Sequence, residues 1–440
     1  MKPHIIVKLK EGVEPVTAPY WADFIDNKST AIESLDKLFD DALRKRKMKF
    51  WVTSEFKPHK EDEYHPQHRE WSKEEIESGL NRIYRIILQD DTEIPPQLID
   101  EIKLVPIVEK ATPGRIGVAK LPEAGLTLSM DANLNKPAQQ IFLDEAQLFS
   151  NGNPTVKIAV LDTGVDLSHP EIAKCMLNGM DFVDILDGAD RFIGDFLGED
   201  AEPLDEVGHG THVTGILCAK GTKMPKGVVP DCRIIPVRVL GAMNNGGRLV
   251  GAGLIDNISS GIKWAVDNGA DIINMSLGVK HSGGGLPHKE VIEYALSKGV
   301  TVVAASGNDG TNDKYYPGAL PGVIAVGAVD YNNVITGFST YGSQISLVAP
   351  GFQVYSAGLN HGYAFASGTS QASPFVAGSI ALLKSYAYKK GRKLSDKQVK
   401  FVLKMTADRN FAGLKDLKYG YGKINLLDAV KFLDYKFLNN

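Results

Sequence analysis

The chain has 440 residues, a formal net charge of -4, 43% hydrophobic and 23% charged residues. That is enough apolar material for a large buried core, and the length suggests two or three domains. The basic residues form no extended stripe, so neither a nucleic-acid partner nor a membrane surface is expected, and no stretch is long and apolar enough to cross a bilayer. The opening residues, Met1 to Lys10, lack the apolar run of a secretory signal, which points to the cytoplasm, or to secretion had a signal been removed. Three cysteines, Cys175, Cys218 and Cys232, are an odd number without metal-ligand spacing and read as free thiols.

Residues 1–111 carry a βαββαβ pattern. Strands are expected over Ile5 to Lys10, near Phe50, over Ile83 to Leu88 and over Val105 to Lys110, with helices over Ala31 to Arg46 and Pro95 to Ile102. Ser72-Lys73-Glu74-Glu75 is a capping box that predicts a further short helix. This is the order of a small ferredoxin-like α+β domain. Residues 112–135, rich in Pro, Gly and small side chains, read as a linker.

In residues 136–440, short apolar runs alternate with helical patterns. The runs are Val156 to Leu161, Ile234 to Leu240, Asp271 to Met275, Val300 to Ala305 and Val323 to Val329. Strands apolar on both faces belong to a mostly parallel sheet covered by helices on both sides, a doubly wound α/β fold, with Leu254 to Asp267 and Lys289 to Ser297 as crossovers. Asp162 and Asn308 then fall at the carboxyl ends of strands, where such sheets carry their sites. A long helix is expected from Ser370 to Tyr388, with Pro374 in its first turn.

A serine hydroxyl becomes a useful nucleophile when a base takes its proton and a carboxylate orients that base. Asp162-Thr163-Gly164, Gly208-His209-Gly210-Thr211-His212 and Gly368-Thr369-Ser370-Gln371-Ala372-Ser373-Pro374 supply such a set, in the order Asp, His, Ser. With these flanking residues the chain, from about Pro137 to about Leu433, resembles the subtilisin-like serine peptidases, the subtilase family.

The resemblance implies a serine endopeptidase with Asp162, His209 and Ser370 as catalytic residues, and His212 in a structural role. It implies an oxyanion hole formed by Asn308 and Ser370, and an N-terminal domain that acts as an intramolecular propeptide inhibitor. A processing site is expected in 112–135. Protein or peptide substrates would lie along Ser276, Leu277 and Gly278 on one side and the region of Gly247 on the other. The first specificity pocket would be lined by Ala304, Ala305, Ser306 and Tyr315, and the tyrosine predicts a shallow pocket for small or medium apolar side chains.

No cofactor is expected for catalysis. A structural calcium is not supported by the usual loop, because Ala219 to Val229 is not Asn-rich and Glu171 replaces the usual aspartate. Between Asp181 and Glu206 stand ten acidic residues and Arg191. They read as a solvated loop, with bound calcium or recognition of basic substrate residues through Asp205 as sharper alternatives. Gln371, where the family usually has methionine, predicts tolerance to peroxide. A silent binding protein on the same fold and a transpeptidase or peptide-maturation enzyme are the competing classes.

Overall fold

A computed structural model describes residues 3–26, 30–62, 65–119, 133–185, 191–280 and 286–438. Most of the proposed linker, 120–132, lies outside the described residues.

The N-terminal unit is built from β1 (His4–Leu9), α1 (Lys37–Arg44), β2 (Phe50–Ser54), β3 (Ile83–Leu88), α2 (Pro96–Lys103) and β4 (Val108–Pro113). Its antiparallel sheet has the order β2-β3-β1-β4, with β1 central. The first helix starts later than its pattern suggests. Asp36 caps it by accepting the N–H groups of Leu38 and Phe39, while Ile32, the second residue of the expected helix, instead bridges to Val52. The capping box forms as expected around Ser72 and Glu75 at the start of the short helix Lys73–Glu77.

Beyond β4 the chain forms another strand, β5 (Ile116–Ala119). The large unit opens with two short helices, Lys136–Gln140 and Leu143–Gln147, and its elements around the site run through β6 (Lys157–Asp162), β7 (Met180–Asp181), α3 (His209–Cys218), β8 (Arg233–Arg238), β9 (Gly241–Asn245) and β10 (Arg248–Leu254). There follow α4 (Ile255–Asp267), β11 (Ile272–Met275), β12 (Val279–Lys280), α5 (Lys289–Ser297), β13 (Thr301–Ala305) and β14 (Tyr315–Tyr316). Last among those positioning the site are β15 (Ile324–Val329), β16 (Ile345–Pro350) and α6 (Thr369–Lys389).

Seven strands make the main sheet in the order β16-β15-β13-β11-β6-β8-β7, and all its pairings are parallel. One face packs on α3 and α6, the other on α4 and α5, so the strands are buried on both sides as their composition requires. The fold is a doubly wound α/β sheet. The three cysteines are free and buried, and burial pushes the Cys218 thiol up. Among the described residues no helix is long and apolar enough to cross a membrane.

The N-terminal sheet sits on α4 and α5. Ile6, Phe56 and Ile83 join the apolar cluster under those helices. Charged contacts surround them: Lys8 to Glu290 at 3.3 Å, His4 to Asp256 at 3.1 Å and Lys263 to Glu75 at 2.6 Å. Arg85 lies across the buried Glu55 and also reaches Asn257 of α4.

Candidate active site

Asp162 ends β6 and is fully buried. Its Oδ1 accepts from the Thr163 N–H at 2.8 Å and lies 2.6 Å from His209 Nδ1. His209 opens α3, so its place depends on how the helix start meets the strand end. Thr163 makes that joint: its Oγ1 accepts from the Gly210 N–H at 3.0 Å and donates to Asp205 at 2.8 Å. Burial alone would lower the His209 pKa, but the charge and hydrogen bond of Asp162, with a contribution from Asp205, raise it above the usual imidazole value.

Recognition of basic substrate residues through Asp205 is one of the alternatives the sequence leaves open. In the structure its carboxylate is bound up within the protein. Oδ1 accepts from Val207 and Gly208 N–H as well as from Thr163, and Oδ2 accepts from the N–H and hydroxyl of Thr211. It therefore ties the residue after Asp162 to the first turn that carries His209. The bare sequence Asp205-Glu206-Val207-Gly208 resembles any acidic turn, and the only available signal was its proximity to His209.

Ser370 lies in the first turn of α6, which packs against α3. Its Oγ donates to the Ser276 carbonyl at 2.9 Å, and His209 Nε2 has no hydrogen-bond partner among the described residues. Pro374 lies one residue further into the helix than the sequence suggests, in its second turn, because the helix begins at Thr369. With no N–H of its own, Pro374 leaves the Ser370 carbonyl without the usual helical donor. Ser276 Oγ supplies the donor, at 2.9 Å. Ser276 and Ser370 thus hold each other through two reciprocal hydrogen bonds.

Asn308 follows β13, and its Oδ1 accepts from the N–H and hydroxyl of Thr369 at 2.8 and 2.9 Å. This fixes the amide with its Nδ2 as the end that can donate beside Ser370. His212 is buried. Its Nε2 meets the carbonyls of Val354 and Ala364, and burial with the nearby His209 lowers its pKa to about 4, so it is a neutral structural donor.

Ser276, Leu277, Gly278, Ala305, Gly307, Asn308, Tyr315 and Ser370 surround one small cavity. Ala304 and Ser306 do not line it, contrary to expectation, since alternate residues of a strand face opposite ways. Ser306 turns its hydroxyl to the Thr340 carbonyl. Gly247 is also displaced from its expected place. It sits in the turn of the β9–β10 hairpin, and the backbone edge offered for pairing lies further on, at Gly251 to Leu254.

That edge is occupied. β5 pairs antiparallel with β10, Gly251 opposite Ala119 and Leu254 opposite Ile116. On its other side β5 passes Val279 so closely that a Cβ on Gly117 would stand 2.5 Å from the valine Cγ1. The strand therefore runs between β10 and β12.

The acidic stretch is not simply a solvated loop. Arg238, 1% exposed, pairs with Asp181 and with Glu206. Burial still pushes Asp181 up to about 7 against the pull of Arg238. Glu199 accepts the Tyr20 hydroxyl from the N-terminal unit. No group of metal-ligating side chains occurs among the described residues.

The family-type calcium position does not fit either. The Glu171 carboxylate accepts the N–H groups of Gly221, Thr222 and Lys223, so the loop presents hydrogen-bond donors to it, and these repel a cation.

These features match known proteins. The profile of the Subtilase family matches residues 153–422. A thermophilic serine proteinase of Bacillus sp. (strain AK1) is 36% identical over 67% of this chain and 66% of its own length. An alkaline protease of Alkalihalobacillus alcalophilus is 34% identical over 78% of this chain and 84% of its own. Among solved structures, the prenylagaramide maturation protease PagA is similar with a TM-score of 0.53 and 31% identity, covering 66% of this chain and 98% of PagA. The chain belongs to the subtilase family and is a subtilisin-like serine endopeptidase.

Proposed function

We propose that the protein is made as a self-inhibited zymogen that hydrolyses peptide bonds through Asp162, His209 and Ser370. In this reading Ser370 turns from the Ser276 carbonyl to His209 Nε2, which takes its proton as Oγ attacks the substrate carbonyl. Asp162 holds the imidazole in the required tautomer and stabilises its charged form. The Ser370 N–H at the start of α6 and Asn308 Nδ2 receive the oxyanion. A donor of this kind typically contributes about 10²- to 10³-fold in turnover. His209 then returns the proton to the leaving amine, and water repeats the sequence on the acyl-enzyme.

The observation that carries the zymogen reading is β5. It lies in the cleft as an added strand, the way an extended peptide substrate would be held. It is covalently joined to the N-terminal unit through β4, and that unit is anchored on α4 and α5. The alignment with the alkaline protease covers more of the chain than residues 136–440 contain, so it reaches into the N-terminal unit.

Intact-mass measurement over time tests this on the wild type beside Ser370→Ala. Loss of the N-terminal unit by a cut within a few residues of Ala119, in the wild type only and followed by casein hydrolysis, is expected. A wild type that stays whole while hydrolysing casein would overturn the zymogen reading. The likeness to PagA favours a second reading, limited processing of a defined precursor, which a few discrete casein fragments instead of extensive digestion would support.

A further inference from the structure

We propose that a recess at the amino ends of β15 and β16 binds a small amphipathic anion, a carboxylate carried on an apolar tail, at a place separate from the catalytic cleft. Asp162 and Asn308 stand at the carboxyl ends of strands in the same parallel sheet, so the recess lies at its opposite edge.

Val323, Ile324 and Leu347, all buried, form the floor, and α7 (Asp396–Thr406) forms a wall. The free space is about 400 Å³. Pockets for small molecules run from about 300 to 1,000 Å³ and are mostly apolar with a few polar groups, which is the make-up found here.

A helix packed on an apolar floor turns apolar residues toward it. α7 does so with Val399, Val402 and Leu403, yet Lys397, Lys400 and Lys404 border the open recess, spaced to lie along one side of the helix. Lys400 is already engaged, because its ammonium donates to Asp396 and to the Gly322 carbonyl. Lys397 and Lys404 have no ion-pair partner among the described residues. Lys404 Nζ stands instead 4.7 Å from the centre of the Tyr421 ring, which lines the same recess, and Lys415 Nζ stands 5.2 Å from it. The positive field extends further: residues 392–423 hold nine Lys and Arg against three Asp, a surplus of +6 in a chain whose net charge is -4.

These features select one kind of occupant. An uncharged apolar molecule would cover the floor and leave both ammonium groups without a counter-ion, a cation would be repelled, and a bare anion such as acetate would leave the floor wet. A membrane surface is too flat to reach a recessed floor. A free carboxylate with an apolar tail satisfies floor and rim together.

Titration calorimetry of the full chain carrying Ser370→Ala, which keeps the protein whole, tests this with sodium decanoate as the probe. One equivalent is expected to bind, with 1-decanol at least about tenfold weaker and acetate silent. The double variant Lys397→Gln, Lys404→Gln should weaken decanoate at least about tenfold, whereas Lys37→Gln with Lys103→Gln, which removes the same charge from the N-terminal unit, should leave it in place. Should the double variant fail to fold, Lys397→Gln alone makes the comparison with a smaller loss. No decanoate binding, several equivalents indifferent to the lysine variants, or decanol bound as tightly as decanoate overturns the inference. So does capture by phosphatidylglycerol vesicles or by a glutamate-rich peptide without binding of free decanoate. None of these outcomes bears on peptide hydrolysis, which is measured separately on the wild type.

Discussion

At the scale of single residues, the site is held by groups that never touch substrate. Asp205 joins Thr163 to Thr211 and adds negative potential at His209, which must be neutral to accept a proton. Because the folded His209 pKa is raised, activity is expected to appear only as pH rises past a value above the ordinary imidazole range. Asp205→Asn should move that acid limb to lower pH and reduce kcat about tenfold, as a pH profile of kcat/KM would register. A shifted limb separates positioning from mere loss of stability. Gln371 offers a second case, since it is fully buried and neither of its amide atoms has a partner among the described residues. Gln371→Met is expected to raise stability by about 1 kcal/mol in thermal unfolding and to make activity peroxide-labile, whereas the native glutamine resists peroxide.

At the scale of elements, the loop after α3 is fastened by a carboxylate. Hydrogen bonds hold Glu171 ionised and its pKa low even though burial opposes this, so their contribution is present above the usual carboxylate range and is lost as pH falls through the lowered value. Glu171→Ala should cost about 3 kcal/mol in denaturant unfolding, and a chelator should leave wild-type stability unchanged. This scale also separates what the sequence discloses from what it hides. Strands such as β6 and β13 are legible because burial on both faces demands an unbroken apolar run, and Asp162, His209 and Ser370 are legible because each stands inside a distinctive short motif. β5 is not: Ile116 to Ala119 pairs with residues more than a hundred positions away, and a linker composition says nothing of such a partner.

At the scale of the whole molecule, the two units are joined by a modest apolar patch ringed with ion pairs. The Lys263–Glu75 contact is almost wholly buried, with side-chain exposures of 5% and 0%. Removing the Glu75 charge leaves the buried Lys263 with Asp267, at 2.6 Å, as its remaining counter-ion and is costly. Glu75→Gln keeps a residue able to complete the capping box with Ser72, and on the zymogen reading proposed above it lies in the part of the chain that processing would discard. The cleaved N-terminal unit carrying it is therefore expected to inhibit at least about tenfold less tightly in a titration, against a mature enzyme of identical sequence.

The clasp between Ser276 and Ser370 has a mechanical meaning. Ser276 begins the rim along which a peptide would lie, and its hydroxyl donates to the Ser370 carbonyl that Pro374 leaves free, a bond that stays when the Ser370 hydroxyl turns from the Ser276 carbonyl to His209. Rim and nucleophile are thus tied through the backbone at Ser370. When thermal breathing widens the cleft, a peptide carried by the rim takes its attacker along, so the distance that matters most for reaction is the one least altered by the motion of everything around it.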